Sequence, residues 1–138
     1  MDLLDLRFVQ ALSSELRDGV RIVKAEVLVQ PVECPLCKAA DPYRHDSREQ
    51  EFADAPIRGQ PVRIQFQRRR YRCRDCGKTF FEPLQGFSVK RNMTRRLVHY
   101  IARDALIDTF AEVARDVAVD VQTVRAVFQD FSDWRIRV

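Results

Sequence analysis

A chain of 138 residues, 46% hydrophobic and 32% charged, is long enough for one ordinary domain or two small ones, and too apolar to be disordered. It has no run near the roughly 18 apolar residues of a membrane span, and its opening, MDLLDLRFVQ, puts acids where a secretory leader needs a basic end and an apolar centre. The expected compartment is the cytoplasm, where paired cysteines bind metal more often than they form disulfides.

The formal net charge of +4 conceals an asymmetry. Twelve Lys/Arg face two acids between Arg58 and Arg96, whereas the remainder carries twelve basic and eighteen acidic residues. One strongly cationic segment between acidic flanks points to a polyanion-binding face; the bland alternative is a solvated surface paired with those flanks.

In chain order, residues 2–17 read as a short amphipathic helix through Leu4, Phe8, Leu12 and Leu16 ending at Asp18-Gly19, with a strand as the alternative. VRIVKAEVLVQPV, from Val20 to Val32, alternates and is rich in β-branched residues, which predicts a strand leading into the first cysteine pair. CKAADPYRHDSRE is turn-rich. PVRIQFQRRRYRC alternates again, with Val62, Ile64 and Phe66 on one face, and predicts a strand into the second pair; TFFEP predicts a short return strand stopped by Pro83. After LQGFSVKRN the pattern becomes helical. The predicted organisation is a lead-in over 1–30, a ribbon over 31–84 and helices over 92–138.

Cys34 and Cys37 in CPLC and Cys73 and Cys76 in CRDCG account for all four cysteines. Each Cys-x-x-Cys turn offers two soft ligands, so two turns complete the closed tetrahedral shell of a structural Zn²⁺. The gap between the pairs exceeds the usual spacing of about 15–20 residues, but it holds a hairpin that would return one pair to the other. Gly77 suits a left-handed turn that aims backbone N–H groups at the sulfurs. Four thiolates leave the site anionic, and Arg72, Arg74 and Lys78 would offset that charge and favour deprotonation. A redox dithiol and buried free cysteines are the competing readings. His45 reads as a surface or packing residue because the shell is full without it.

MTRRLVHYIARDALID spaces Leu97, Ile101 and Ala105, and Val98 and Ala102, as a helix does, with Asn92 or Thr94 as N-cap. Thr109-x-x-Glu112 is a capping box opening a second helix to about Asp116. VAVD then makes a turn, and Asp120 caps a third helix from Val121 to about Ser132. A short helix, a turn and a capped helix form the helix-turn-helix pattern, with a plain helical hairpin as the alternative. Phe110, Val113, Ala114, Val117, Val121, Val124 and Phe128 are its expected core, and Trp134 its expected last anchor. Gln122, Thr123, Arg125, Ala126 and Gln129 are left facing outward, where Gln can pair with adenine and Arg with guanine. Asp104, Asp108, Glu112, Asp116 and Asp120 recur every four residues, but across helix breaks and in capping roles, so no carboxylate chemistry is read into them. His99 reads as a surface or packing residue.

These segments together, CPLC, DAPIRGQPVRIQFQRRRYRCRDCGKTFFEP, MTRRLVHYIARDAL and FAEVARDVAVDVQTVRAVF, resemble the N-terminal part of the ISL-three insertion-sequence transposases over roughly residues 30 to 130. Carrying the likeness are the Asp54-x-Pro56-x-x-Gly59 turn, Arg69-Arg70-x-x-Cys73, Cys76, Thr79-Phe80, and Ala114, Arg115, Val119, Thr123 and Val124. The family's turn glycine is Ala118 here, which predicts a looser turn. The resemblance implies an α+β chain: a small four-cysteine zinc ribbon of antiparallel β, then a three-helix helix-turn-helix. It also implies double-stranded DNA at terminal inverted repeats as partner, structural Zn²⁺ as cofactor and a bacterial, nucleoid-associated setting. The family's catalytic part is a DDE domain far downstream, for which this chain has no length, so the expectation is a non-enzymatic fragment, truncated copy or stand-alone binder.

The expected DNA contacts are Arg68, Arg69, Arg70, Arg72, Arg74 and Lys78 on the ribbon, Lys90, Arg91, Arg95 and Arg96 before and within the first helix, and Gln122, Thr123, Arg125 and Gln129 on the third. Neither a membrane nor a small-molecule substrate is expected as a partner. The alternatives are a transposase-derived transcriptional regulator and an interaction module that self-associates as a homodimer. RNA is disfavoured because no aromatic-rich strand offers a stacking platform.

Overall fold

Two turns in which both central residues have positive φ, Asp18-Gly19 (52° and 80°) and Arg58-Gly59 (51° and 76°), set the β topology. Each is a two-residue hairpin loop of the kind whose twist matches that of the flanking strands. The first joins β1 (Val9–Arg17) to β2 (Val20–Val27), and the second joins β3 (Tyr43–Ile57) to β4 (Gln60–Arg72). The computed structural model describes residue 6 and residues 8–137, with side chains through residue 131. Leu4 and Trp134 therefore lie outside the described side chains.

Three short strands follow, β5 (Thr79–Phe81), β6 (Phe87–Ser88) and β7 (Met93–Thr94), then helices α1 (Arg95–Asp104), α2 (Phe110–Val117) and α3 (Val121–Arg137). The sheet order is β1-β2-β4-β3-β7-β6, with β5 added on β4. β2 runs parallel to β4, and β7 runs parallel to β3.

This architecture corrects three expectations. The helical reading fails over Val9–Arg17, which pairs along β2 from Val9↔Val27 to Arg17↔Val20. The helical spacing of Leu12 and Leu16 buries neither side chain, and Asp18-Gly19 is itself a strong hairpin signal. The β region is also larger than a small antiparallel ribbon: it is a seven-stranded mixed sheet. The turn-rich segment from Tyr43 belongs to β3, although residues 43–49 are exposed, because β4 satisfies its backbone from Tyr43↔Arg72 onward.

The sheet has a core on each face. Val23, Ala25, Val27, Phe52, Val62, Ile64, Phe66, Leu84 and Phe87 form one. Within it the Phe52, Phe66 and Phe87 rings meet edge to face at centroid distances of 5.1–6.0 Å, each contributing roughly 1.5–3 kcal/mol by burial. On the other face Ala53 joins Met93, Leu97, Ile101, Val113, Ala114, Val117, Val124 and Val127. Neighbours on a strand point to opposite faces, so Phe52 and Ala53 put β3 in both cores at once. The helices are thereby packed against the sheet near its Arg58-Gly59 end.

Candidate metal centre and nucleic-acid interface

The long β3–β4 hairpin brings the two cysteine pairs together. β3 begins six residues after Cys37, and β4 ends at Arg72, immediately before Cys73. The two knuckles are built alike. The Cys34 N–H donates to the Ala39 carbonyl and the Cys73 N–H to the Lys78 carbonyl, while Lys38 and Gly77 return N–H groups to the Cys34 and Cys73 carbonyls. Lys38 and Gly77 occupy the same left-handed position, with φ of 65° and 71°.

All four Sγ atoms lie within 4.8 Å of one another. Across the knuckles Cys34 and Cys76 are 3.8 Å apart, and Cys37 and Cys73 are 3.4 Å apart. Four sulfurs at Zn–S distances of about 2.3 Å in a tetrahedron sit roughly 3.8 Å from each other, so the set fits that ion. All four sulfurs are mutually close, as one shared ion requires, and are not grouped into two isolated dithiols. His45 is exposed on β3 and does not belong to the cluster.

The local electrostatics favour thiolate at one cysteine of each knuckle, Cys34 and Cys73. The Cys76 N–H, then that of Asp75 against the opposing effect of burial, lowers Cys73 to about 6; Cys34 is lowered chiefly by the Cys37 N–H. Cys37 is pushed up to about 11: the Ala39 amide lowers it, but the facing Cys73 sulfur and burial prevail. A divalent ion bound by the four sulfurs would displace the thiol protons that remain. Arg72 donates to the Gly77 carbonyl at 3.0 Å, and Arg74 to the Asp41 carbonyl at 2.9 Å while lying over the Tyr43 ring. Each arginine thus supports a loop at the knuckles while keeping an exposed position.

The structure separates the cations that the sequence grouped. Contrary to the expectation of a phosphate contact, Arg68 points inward at 7% exposure. Its guanidinium donates twice to the Glu82 carbonyl, at 3.2 and 2.9 Å, and lies over Phe81. Glu82 is itself buried and accepts from the Arg69 N–H; burial pushes its carboxyl above the usual range, and that N–H and the charges of Arg69, Arg68 and Arg44 partly restore it. Arg69 is half-buried. Arg70 forks onto Asp46, and Arg91 pairs with Asp130 of α3. Arg96 departs from its expected role most clearly, because its guanidinium embraces Asp54. Lys78, Lys90 and Arg95 are exposed.

Asp54 is the residue whose part the sequence reading missed. Fully buried, it accepts from the Thr94 hydroxyl at 2.6 Å, from Arg96 Nε at 2.8 Å and from the Ala55 N–H at 2.7 Å. Thr94 is also the N-cap of α1, accepting from the Leu97 N–H. A β3 carboxylate thus locks the first helix onto the sheet. Its only sequence signal was the Asp-x-Pro turn, which names no partner.

The Thr109–Glu112 capping box forms in full, and Asp120 caps α3 through the Gln122 N–H. Ala118 takes the left-handed conformation (φ 56°, ψ 46°), so the turn closes as tightly as glycine would allow, and the expectation of a looser turn is corrected. Arg63 on β4 donates to the Ala118 carbonyl, bracing that turn from the sheet. The left-handed region costs a non-glycine residue about 1–2 kcal/mol, partly offset by glycine's larger loss of chain entropy. Ala118→Gly should therefore raise stability by roughly 0.5–1 kcal/mol, seen as a higher urea midpoint at unchanged slope. Val113, Ala114, Val117 and Val124 are buried as expected, Val127 joins them, and the half-buried Phe110 and Phe128 rings meet at 5.4 Å. Gln122, Arg125, Ala126 and Gln129 are exposed and Thr123 is half-buried, with Arg125 lying over Phe110.

A family model for the zinc-finger of transposase IS204/IS1001/IS1096/IS1165 matches residues 30–76, and one for the helix-turn-helix domain of transposase family ISL3 matches residues 90–132. The chain belongs to the ISL3 transposases. Both matched domains of this ISL3 chain are binding domains, and together they cover about two thirds of it. No curated protein and no solved structure matches the chain. No helix among the described residues is long and apolar enough to cross a membrane.

Proposed function

We propose that this ISL3 chain is a zinc-stabilised, sequence-specific double-stranded DNA-binding module that recognises the terminal inverted repeats of its element. The observation that carries this reading is the outer face of α3. Gln122, Arg125 and Gln129 are exposed on a helix whose turn and partner helices are pinned to the sheet by Arg63 and Asp54. Side chains held this way meet the edges of bases with little ordering left to do. Zn²⁺ held by Cys34, Cys37, Cys73 and Cys76 serves as a structural ion that rigidifies the far end of the hairpin.

Binding, rather than catalysis, is what these residues support. Among the described residues, the cysteines form the only group of three or more His, Cys, Asp or Glu side chains close enough to share an ion, and a closed tetrahedron leaves no site for substrate. A regulator acting at an operator would use the same surface with a different target.

The test is duplex binding over a salt titration with variants of α3. Affinity should fall steeply with salt. Arg125→Ala should relax preference at one base position, by about 1–3 kcal/mol of discrimination, more than it weakens binding to random duplex. Salt-insensitive association would overturn the reading, and uniform loss over all sequences would move Arg125 to the phosphate-contacting group.

A further inference from the structure

The four cysteines are chemically alike but not equally placed. Cys34 and Cys73, the first of each pair, are 0% and 2% exposed, whereas Cys37 and Cys76, the second of each pair, are exposed. Knuckle geometry makes the difference. The first cysteine is tied back into its loop by the N–H it donates to the Ala39 or Lys78 carbonyl. The second immediately precedes the left-handed residue, Lys38 or Gly77, at which the chain reverses, and so stands on the outside of the turn.

Hydrogen bonding runs the same way. Cys34 Sγ accepts from the Leu36 N–H at 3.4 Å, and Cys73 Sγ accepts from the Asp75 and Cys76 N–H groups, each at 3.4 Å. Such bonds draw electron density from a sulfur and blunt it as a nucleophile. The Ala39 amide also serves Cys37, so at the first knuckle exposure is the main distinction, while at the second both effects act. Bound to one ion, all four are thiolates. Access and hydrogen bonding, not proton loss, then rank them as nucleophiles. Both signs of charge surround the exposed pair, Lys38 with Glu33 at the first knuckle and Arg74, Lys78 and Asp75 at the second. Uncharged reagents are therefore the class that reaches it without electrostatic bias.

We propose that Cys37 and Cys76 are the modification site of the zinc centre, the sulfurs through which uncharged electrophiles and peroxides enter it. With hydrogen peroxide, the exposed thiolate attacks one oxygen: an S–O bond forms, the O–O bond breaks and hydroxide leaves. A second thiolate, within 4.8 Å, displaces hydroxide from that sulfur to form a disulfide. Two sulfurs give up two electrons, one peroxide takes them, and two protons turn the two hydroxides into water. Two of the four ligands are thereby lost. The ion leaves, and the knuckle half of the hairpin loses its fold, while the helices keep theirs through their own core. This rests on the zinc reading above and adds an oxidant-sensitive switch confined to one end of the molecule.

The test treats the zinc-loaded chain with a limiting amount of N-ethylmaleimide, and mass spectrometry locates the label in molecules that carry only one. Cys37 and Cys76 together should hold about tenfold more of it than Cys34 and Cys73. The chain unfolded in guanidinium, where access is equal, should lose that preference. Zinc release, followed with a colorimetric chelator, should keep pace with the first label. With hydrogen peroxide, two thiols should disappear per ion released, and dithiothreitol with zinc should restore both. First labels spread evenly over the four cysteines, or an ion retained after labelling, would overturn the proposal and leave the zinc site standing. A chain that takes up no zinc would overturn the reading of the site itself, and this inference with it.

Discussion

Replacing Cys73 with serine will release the metal and melt the knuckle half of the β3–β4 hairpin while the helices stay folded. A serine hydroxyl does not ionise near neutral pH and cannot stand in for a thiolate. What remains at that end is thin: the Tyr71–Phe80 stack, the Arg68–Phe81–Glu82 cluster and the backbone ladder, with residues 43–49 exposed. The other half is held by Phe52, Ile64 and Phe66 in one core and by Ala53 against the helices in the second. The break should therefore fall within the hairpin, not between ribbon and helices. Hydrogen exchange resolves this. Amides of residues 70–76 should approach unfolded rates, within about tenfold, whereas those of Ile64 and Ile101 keep their protection. Unchanged zinc content and unchanged exchange would refute the structural role of the ion.

Asp54→Ala is expected to cost about 3 kcal/mol and to loosen α1 from the sheet. The substitution removes the shared acceptor of the Thr94 hydroxyl, the Arg96 guanidinium and the Ala55 N–H in one step. The Thr94 hydroxyl then remains buried without that acceptor. The Arg96 side chain is 37% exposed and can turn to water, which holds the loss toward the lower end of the 3–5 kcal/mol typical of broken buried pairs. Asp54→Asn keeps an oxygen for Thr94 and Ala55 and should cost about half as much. Urea unfolding measures both; a cost below about 1 kcal/mol for the alanine variant would mean that Asp54 is not the lock. Because the clamp joins the two matched domains, the same variants should also weaken duplex binding, through the position of α3.

Much of this protein is local enough to be legible along the chain. Val62, Ile64 and Phe66 declare a strand face by alternation, Thr109 and Glu112 declare a helix start by a reciprocal bond three residues apart, and the two Cys-x-x-Cys turns declare four ligands of one kind. The first strand was obscured because Phe8, Leu12 and Leu16 imitate a helical stripe, while Asp18-Gly19 carried the contrary signal. The arginines were harder. A run such as Arg68-Arg69-Arg70 is a single cationic word in sequence, yet alternation along a strand and the position of Glu82 send Arg68 into the interior.

By itself, then, the amino-acid sequence determined which elements could form, which four cysteines would cluster and that the chain is cationic through its middle, because propensity, turn chemistry and soft-ligand spacing act over a few residues. Only the tertiary structure decided which cations remain free to meet a partner and that Asp54 joins sheet to helix across forty residues of chain. Those properties depend on which side chains are brought face to face once water has been excluded, and no local pattern encodes that.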